Sequence, residues 1–230
     1  DIYIPFYANQ WVLHKQETNN RIAEMIRSGK PFMVARFGNT ELCVMDGVLK
    51  RRLFGTTPET EAWLDEWFDS LGENAGFFPD KKELAEDFTD LMLDCCKEVD
   101  IQAMFHCHMD DYMFTEYMPQ AKITYLNHIE PWRCKKPWTA ALKGKKVLVI
   151  HPFEESIRNQ YQKRELLFEN PDVLPDFELK TLKAVQTIAG EKDERFKTWF
   201  EALEYMYEEA LKIDFDLAII GCGAYGFPLA

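Results

Sequence analysis

The stretch PFMVARFGNTE, Pro31–Glu41, determines how the rest of the chain is interpreted. Its apolar start, Phe32–Ala35, has the character of a strand that is buried on both faces of a parallel sheet. Arg36–Gly38 then breaks the apolar run, and polar residues able to cap a helix come next. Ligands bind at the carboxyl ends of strands in open α/β sheets, and Arg36 and Glu41 are costly to bury without a partner. We therefore expect this strand-to-helix corner to face a ligand.

A second corner follows the clearest strand of the sequence, Lys145–Ile150, and spans His151–Arg164. A buried strand, a proline and a helix start together favour an anion site, because the first N–H groups of a helix point outward. Ser156 can donate a hydrogen bond, and Arg158 and Arg164 can bind phosphate oxygens in the bidentate manner of arginine. The alternative is an amphipathic helix whose arginines are solvated.

A third corner follows the apolar run Asp216–Ile220 and has the sequence GCGAYG, Gly221–Gly226. Glycines at such a turn allow the backbone to approach a ligand closely. The turn resembles a compressed dinucleotide fingerprint. An NAD site would instead place that fingerprint after the first strand, with an acidic residue after the second.

Six predicted strands alternate with helices, a pattern typical of an α/β domain with a mainly parallel sheet. Asp193 is expected to cap the last long helix. We predict one domain over residues 1–230, with both ends truncated, since Asp1 is not an initiator methionine and Phe227–Ala230 starts a helix. If the three strands are parallel, their corners converge on one edge of the sheet and form one cleft.

Composition excludes several classes of protein. A hydrophobic share of 47% indicates a globular chain, and no apolar run approaches the ~20 residues of a membrane span. The net charge of −12 argues against nucleic-acid binding. The basic stretch Arg133–Lys146 is either a solvated loop or a surface for phosphates or an anionic membrane. The six cysteines show no metal-binding spacing, which favours reduced thiols and a cytoplasmic location.

A histidine-rich loop, His106–Asp111, lies between two predicted strands. Its HxH spacing with nearby acids is compatible with zinc or iron, but no further ligands follow at a familiar spacing. The loop could instead line the cleft or be ordinary connecting structure.

The three corners resemble the corresponding segments of the GT-D-type glycosyltransferases, a bacterial family with a single Rossmann-like domain. RFGNTE at 36–41 resembles the family's RFG-D-G-E segment. PFEESIRNQYQKR at 152–164 matches PF-x-x-SI-x-x-Q-x-x-x-R, and GCGAYG matches the G-x-G-x-Y-G turn. The resemblance runs from about Phe32 to the end of the chain and is strong at the corners alone.

The resemblance implies transfer of a hexose, with UDP-glucose as the suggested donor, to a hydroxyl of a glycan, glycoprotein or lipid-linked acceptor. The residues expected to bind the nucleotide-sugar are Arg36, Phe37, Gly38, Ser156, Arg158, Gln160, Arg164, Gly221, Gly223 and Tyr225. The acceptor base would be Glu41, Asp46 or Asp110. Arg36 either contributes to diphosphate binding or orients Glu41, and Tyr225 would hold the nucleoside with the glycine turn.

The family's acidic pair is taken to hold a divalent metal, and here Asn39 replaces the first acid while Glu41 keeps the second. An amide oxygen can ligate Mg²⁺ or Mn²⁺ but brings no charge, and these cations favour carboxylates. Either Asn39, Glu41 and the diphosphate hold the metal together, or the enzyme depends little on metal, or the domain binds donor without turnover.

Three rival functions remain open from the sequence. The first is a non-catalytic nucleotide-sugar-binding domain, the second a nicotinamide-dependent oxidoreductase, and the third a metallohydrolase based on His106 and His108. For the transferase, a lipid-linked acceptor would place the chain at the inner face of the membrane, docked through Arg133–Lys146.

Overall fold

The computed structural model describes residues 5–230, so the expectation about Asp1 lies outside the described part. The chain is an α/β protein whose parallel strands are flanked by helices. Its strands are β1 (Phe6–Tyr7), β2 (Gln10–Trp11), β3 (Val34–Ala35), β4 (Ile101–Met104), β5 (Lys122–Tyr125), β6 (Lys146–His151), β7 (Glu178–Lys183) and β8 (Leu217–Ile220).

The α-helices connect these strands and cover their faces. They are α1 (Lys15–Ser28), α2 (Asn39–Phe54), α3 (Pro58–Ala75), α4 (Leu84–Cys95), α5 (Asp110–Glu116), α6 (Leu126–Ile129), α7 (Glu154–Tyr161), α8 (Trp199–Leu211) and α9 (Gly226–Leu229). No helix within residues 5–230 is long and apolar enough to cross a membrane. All six cysteines are free thiols.

The predicted parallel strands are present, but they form two sheets instead of one. In the first sheet β4 pairs with β3 and β5, and in the second β6 pairs with β7 and β8, all in parallel. The edge strands are therefore β3 and β5 in the first sheet and β7 and β8 in the second. The strands are parallel within each sheet, as predicted, but they do not form the single sheet that was expected.

Helix α2 is the centre of the first half because its N-terminal part is buried on every side. Every residue from Glu41 to Leu49 is buried. Gly47 lets α3 approach closely, since a Cβ at that position would lie 2.6 Å from the nearest atom of Leu64. This packing fixes the start of α2, and with it the Arg36–Glu41 corner, against the protein interior.

An aromatic cluster around Trp199 anchors α8 to the rest of the core. The Trp199 ring lies 5.2 Å from the Phe77 ring and 5.5 Å from the Phe88 ring. Thr198 caps the helix by accepting a hydrogen bond from the Glu201 N–H. The prediction that Asp193 is the cap was therefore wrong.

Candidate functional site

A cavity of about 1180 Å³ lies between the edge strands β3 and β8. At the carboxyl ends of the strands its rim is polar and is lined by the corner Arg36–Glu41, by His151 and by the turn Gly221–Gly223. Between the strands its body is lined mainly by aliphatic and aromatic side chains. The first and third corners predicted from the sequence thus meet at one cavity, and the second corner contributes its first residue, His151, to the rim.

Two phenylalanines hold these two corners together. Phe37 is buried, and its ring stacks on that of Phe227 with a centroid distance of 4.3 Å and an interplanar angle of 18°. Offset stacking of two aromatic rings at this separation stabilises the fold beyond the contribution of the apolar area that the rings bury. The contact fixes the loop after β3 against the start of α9. Phe37 also lines the cavity.

Arg36 is exposed at the rim, and within residues 5–230 no carboxylate pairs with its guanidinium. Its one hydrogen bond is a long contact of 3.5 Å from Nη1 to the carbonyl oxygen of Phe37. An arginine with most of its five donors unused is suited to bind the oxygens of a phosphate or carboxylate.

Glu41 is buried at the same rim, in the first turn of α2. Its side chain folds back over Gly38, where a Cβ would lie 2.1 Å from Glu41 Oε2. Glycine is required at that position for this side-chain conformation. Glu41 Oε2 accepts a hydrogen bond of 2.9 Å from the Thr40 hydroxyl. No cation pairs with Glu41 among the described residues, although carboxylates at a helix start are favoured by the helix dipole.

The histidine-rich loop packs onto α2 through two polar contacts. The backbone N–H of His108 donates to Asn39 Oδ1 at 3.0 Å, and His108 Nε2 lies 2.9 Å from Asp46 Oδ2. Lys50 donates to the same Asp46 oxygen at 2.7 Å. Asp46 is therefore engaged by two partners, and Asn39 is engaged in fixing the loop.

Asp110 is buried below this loop, and it does not line the cavity. Its Oδ2 accepts a hydrogen bond of 2.9 Å from the Cys107 N–H. Burial raises the pKa of Asp110 to about 6, although backbone hydrogen bonds oppose this shift. The geometry makes Asp110 a support of the loop.

The two histidines of the HxH motif contact different neighbours. The His106 ring lies 5.7 Å from the Tyr125 ring, while the His108 ring lies 5.3 Å from the Trp63 ring. Within residues 5–230 there is no group of three or more histidine, cysteine, aspartate or glutamate side chains arranged to hold a metal.

The second corner places its predicted anion-binding residues away from the cavity. Arg158 Nη1 contacts Glu154 at 3.2 Å and donates to the Thr181 hydroxyl at 2.9 Å, and Arg164 pairs with Asp176 at 2.7 Å. Ser156 is exposed in the first turn of α7, which also carries two glutamates. The exposed side chain of Gln160 does not line the cavity either.

The glycine turn is explained by contacts within the protein. A Cβ on Gly221 would lie 3.0 Å from His151 Cδ2, so glycine lets the imidazole lie against the turn. Gly223 has φ +64°, and a Cβ there would lie 2.9 Å from the carbonyl oxygen of Ala75. Glycine is therefore needed at both positions for packing within the protein.

His151 is a rim residue that belongs to the predicted second corner but was not among the predicted nucleotide-binding residues. Its Nδ1 accepts a hydrogen bond of 3.0 Å from the Phe153 N–H, which assigns the proton to Nε2 in the neutral ring. Its position as the last residue of β6, directly before a proline, is the signal that could have identified it.

Tyr225 lies in the core and not at the cavity. Its ring is 1% exposed and stacks on Trp199 at 5.0 Å. Its hydroxyl lies 3.2 Å from the Thr187 hydroxyl. Burial raises the pKa of Tyr225 above its usual value. In this conformation the ring is not accessible to a nucleoside.

Asn39 and Glu41 alone do not complete a site for a divalent cation. Mg²⁺ is usually held by one or two carboxylates together with substrate phosphates and water, and this pair offers one carboxylate, from Glu41. Asn39 contributes an amide oxygen that already accepts the His108 N–H. Any ion here would depend on oxygens supplied by a diphosphate and by water.

The basic stretch Arg133–Lys146 is not a uniform cationic surface. Arg133 pairs with Glu130, and Lys146 pairs with Asp214. Lys135, Lys136 and Lys143 are exposed.

The chain matches no model of a known protein family, and searches of curated proteins and of solved structures give no significant match.

Proposed function

We propose that this chain is a glycosyltransferase of the GT-D type with a Rossmann-like arrangement of its strands. It would transfer a hexose, most simply glucose from UDP-glucose, to a hydroxyl of a glycan, glycoprotein or lipid-linked acceptor. The observation that supports this most is the meeting of the Arg36–Glu41 corner with the Gly221–Gly223 turn at the rim of one cavity. A cleft at the carboxyl ends of parallel strands is the usual nucleotide position in α/β proteins.

Arg36 is the residue best suited to bind the diphosphate. It is exposed at the rim, and its one hydrogen bond among residues 5–230 goes to a carbonyl oxygen and not to a carboxylate. Charge developing on a diphosphate leaving group is stabilised by a fixed cation. The bidentate geometry of the guanidinium also orients the group. Because Arg158 and Arg164 pair with carboxylates outside the cavity, diphosphate binding in this proposal depends on Arg36.

Glu41 is the best-placed acceptor base. Its carboxylate is buried at the rim, close to Arg36 in the chain, and its one hydrogen bond comes from the Thr40 hydroxyl. A buried carboxylate without a cationic partner can accept the proton of an acceptor hydroxyl. Asp46 and Asp110 are weaker candidates for this role, because the first is held by Lys50 and His108 and the second does not line the cavity.

The donor class is tested by thermal unfolding in the presence of UDP, UDP-glucose, GDP-mannose or NAD, each with and without Mn²⁺. A ligand that binds the folded chain raises its melting temperature. The proposal expects stabilisation by UDP and UDP-glucose. A further rise with Mn²⁺ would mean that Glu41, Asn39 and the diphosphate hold a cation together, and no further rise would mean that Arg36 binds the diphosphate without a metal. Stabilisation by NAD alone would support the oxidoreductase and overturn the proposal.

A second candidate is a nucleotide-sugar-binding domain without catalysis. It is favoured by Asn39, because this residue stands where the family has an acid and its amide oxygen holds the histidine-rich loop. Incubation with UDP-glucose distinguishes the two functions. Release of UDP in the presence of acceptor or water supports the transferase, and binding without release supports the binding domain.

The proposed location is the cytoplasm, at the inner face of the membrane if the acceptor is lipid-linked. The exposed lysines of the basic stretch would then contact anionic lipid. Binding to vesicles containing phosphatidylserine, compared between the wild type and a variant with Lys135, Lys136 and Lys143 changed to Gln, tests this contact. Equal binding by the two proteins would rule out the contact between these lysines and anionic lipid.

A further inference from the structure

His151 ends β6, the central strand of the second sheet, and lines the rim of the cavity. It is paired with Lys183 of β7, and its carbonyl oxygen accepts a hydrogen bond of 3.2 Å from the Ala184 N–H. The sheet therefore fixes the backbone that carries the imidazole. Ligands of α/β proteins bind in the crevice outside the carboxyl ends of such strands.

The two ring nitrogens of His151 have different surroundings. Nδ1 accepts the hydrogen bond of 3.0 Å from the Phe153 N–H, so the neutral ring carries its proton on Nε2. Within residues 5–230, no side chain or backbone group forms a hydrogen bond with Nε2. One nitrogen thus holds the ring in place, and the other offers a donor with a defined orientation.

The edge of the ring that carries Nε2 lies beside the glycine turn after β8. A Cβ on Gly221 would lie 3.0 Å from His151 Cδ2 and 3.6 Å from Nε2. The Gly221 N–H donates to the Ile150 carbonyl oxygen at 2.9 Å, which keeps the turn next to the end of β6. Gly221 and Gly223 both line the cavity. Because neither carries a side chain, a ligand on this turn can approach the backbone and the Nε2–H group closely.

The carboxylates closest to His151 in the chain stay outside the cavity. They are Glu154 and Glu155 in the first turn of α7, and neither lines the cavity. Among the described residues, the carboxylates that do line it are Glu41 and Asp216. Asp216 precedes β8, so it lies at the opposite end of that strand from the glycine turn. A phosphate beside His151 therefore meets a hydrogen-bond donor and no carboxylate of α7.

We propose that His151 binds the diphosphate of the nucleotide-sugar by donating Nε2–H to one of its oxygens. The inference rests on the proposed function and adds a second donor, besides Arg36, to its diphosphate site. A hydrogen bond to a charged acceptor is stronger than one between neutral groups, so a single neutral N–H contributes measurably to binding. The ring keeps its proton on Nε2, so His151 positions the diphosphate and takes no part in proton transfer.

Two substitutions separate the roles of the two nitrogens. His151→Asn keeps an acceptor for the Phe153 N–H, its amide oxygen, in the place of Nδ1, and it removes the donor. His151→Gln places an amide N–H near the position of Nε2 and removes the acceptor at Nδ1. His14→Asn, at an exposed histidine outside this cavity, is the control for the loss of an imidazole. The probes are UDP and inorganic pyrophosphate, and calorimetric titration measures their affinities.

We expect His151→Asn to weaken the binding of both UDP and pyrophosphate about tenfold, the loss typical of one hydrogen bond to a charged acceptor. His151→Gln should weaken it by less than about threefold, because its amide still donates. The melting temperatures should follow the opposite order, since His151→Gln loses the contact with the Phe153 N–H. A role in folding alone would give that order of melting temperatures and leave both affinities unchanged.

Three results would overturn the proposal. The first is an affinity of His151→Asn for UDP and pyrophosphate equal to that of the wild type. The second is weak binding by His151→Gln together with normal binding by His151→Asn, which would assign the effect to Nδ1. The third is a loss confined to UDP, which would place His151 against the nucleoside.

Failure of the proposed function gives a different result. The wild type would then bind pyrophosphate but not UDP, while His151→Asn and His151→Gln still differ in their affinity for pyrophosphate. Absence of binding of both ligands to the wild type would overturn the proposed function and the role of His151 together.

Discussion

The corner after β3 and the corner after β6 look alike in sequence, yet their arginines end in different surroundings. Each corner places arginine near a helix start that follows an apolar strand. Arg36 stays exposed at the cavity rim without a carboxylate partner in the described chain, whereas Arg158 and Arg164 are held by Glu154 and Asp176 outside the cavity. A strand-to-helix corner determines the backbone conformation, but ion pairs with nearby carboxylates determine the position of a long cationic side chain.

The acids of α7 strengthen this contrast. Glu154 and Glu155 occupy its first turn, where they complement the positive end of the helix dipole. An incoming phosphate would be repelled by these two carboxylates and would compete with them for the positive end of the helix dipole. At α2 the first-turn acid is Glu41, and its side chain folds back over Gly38 while Arg36 remains unpaired. The first corner is therefore the one available to a phosphate.

The largest effect is expected where the third corner joins the core. Tyr225→Ala should lower the free energy of unfolding by about 3 to 5 kcal/mol, because it removes a large ring that is stacked on Trp199. Tyr225→Phe keeps the ring and loses the contact with Thr187, so it should cost only about 0.5 to 1.5 kcal/mol. Urea denaturation measures both. Intact stability of Tyr225→Ala together with weaker UDP-glucose binding would instead make Tyr225 a ligand residue.

The next effect sharpens the role of the first corner. Arg36→Gln should weaken UDP-glucose binding tenfold or more, equivalent to about 1.5 to 3 kcal/mol for lost hydrogen bonds to a charged group. The free energy of unfolding should change by less than about 0.5 kcal/mol, because Arg36 has no strong partner in the fold. Calorimetric titration measures the affinity. Arg27→Gln, at an exposed arginine in the last turn of α1, is the control, and equal affinities of the two variants would contradict the assignment.

Asp110 tests the loop that braces the first corner. Its folded pKa is raised to about 6 by burial, so the folded state binds a proton more tightly than the unfolded state. The cost of burying the charge is fully present above pH 6 and disappears as pH falls towards the unfolded value near 4. Asp110→Asn can still accept the Cys107 N–H, and it should be more stable than wild type by about 1 to 3 kcal/mol at pH 7.

The gain from Asp110→Asn should shrink steadily between pH 6 and pH 4, as urea denaturation at several pH values would measure. Asp111→Asn, at the exposed neighbouring residue, provides the comparison. A variant of Asp110 that is less stable than wild type at pH 7 would mean that the ionised carboxylate stabilises the fold.

The smallest effects are expected at the second corner. Arg158→Gln and Arg164→Gln each remove a partly exposed ion pair, which is worth about 0 to 1 kcal/mol. Neither should change the affinity for UDP-glucose by more than about twofold, since both side chains lie away from the cavity. A tenfold loss in either variant would move the diphosphate to α7 and reverse the comparison between the two corners.

Much of the backbone could be predicted from the sequence. Short strand patterns indicated the six parallel strands, and the break at Arg36–Gly38 indicated the start of a helix, where α2 begins at Asn39. These features depend on local spacing and on glycine, so they are readable without tertiary contacts. The α/β class also follows from such local patterns, and the structure confirmed it.

Side-chain positions at the site could not be read in this way. Tyr225 and Arg164 suited a ligand by residue type, but Trp199 and Asp176, which are distant in sequence, determine where they lie. Thr198 capped α8 in place of Asp193, which pairs with Arg195. The division into two sheets could not be predicted either. The apolar sequence of β8 is typical of an interior strand, and it does not show that β8 lies at the edge of its sheet.

The central claim is that a nucleoside diphosphate binds at the rim of the cavity and not at α7. A crystal structure of the chain with UDP tests it most directly. The account predicts that the diphosphate lies within hydrogen-bonding distance of the Arg36 guanidinium, beside the Gly221–Gly223 turn. A diphosphate bound instead by Ser156 and Arg158 at the start of α7 would contradict it.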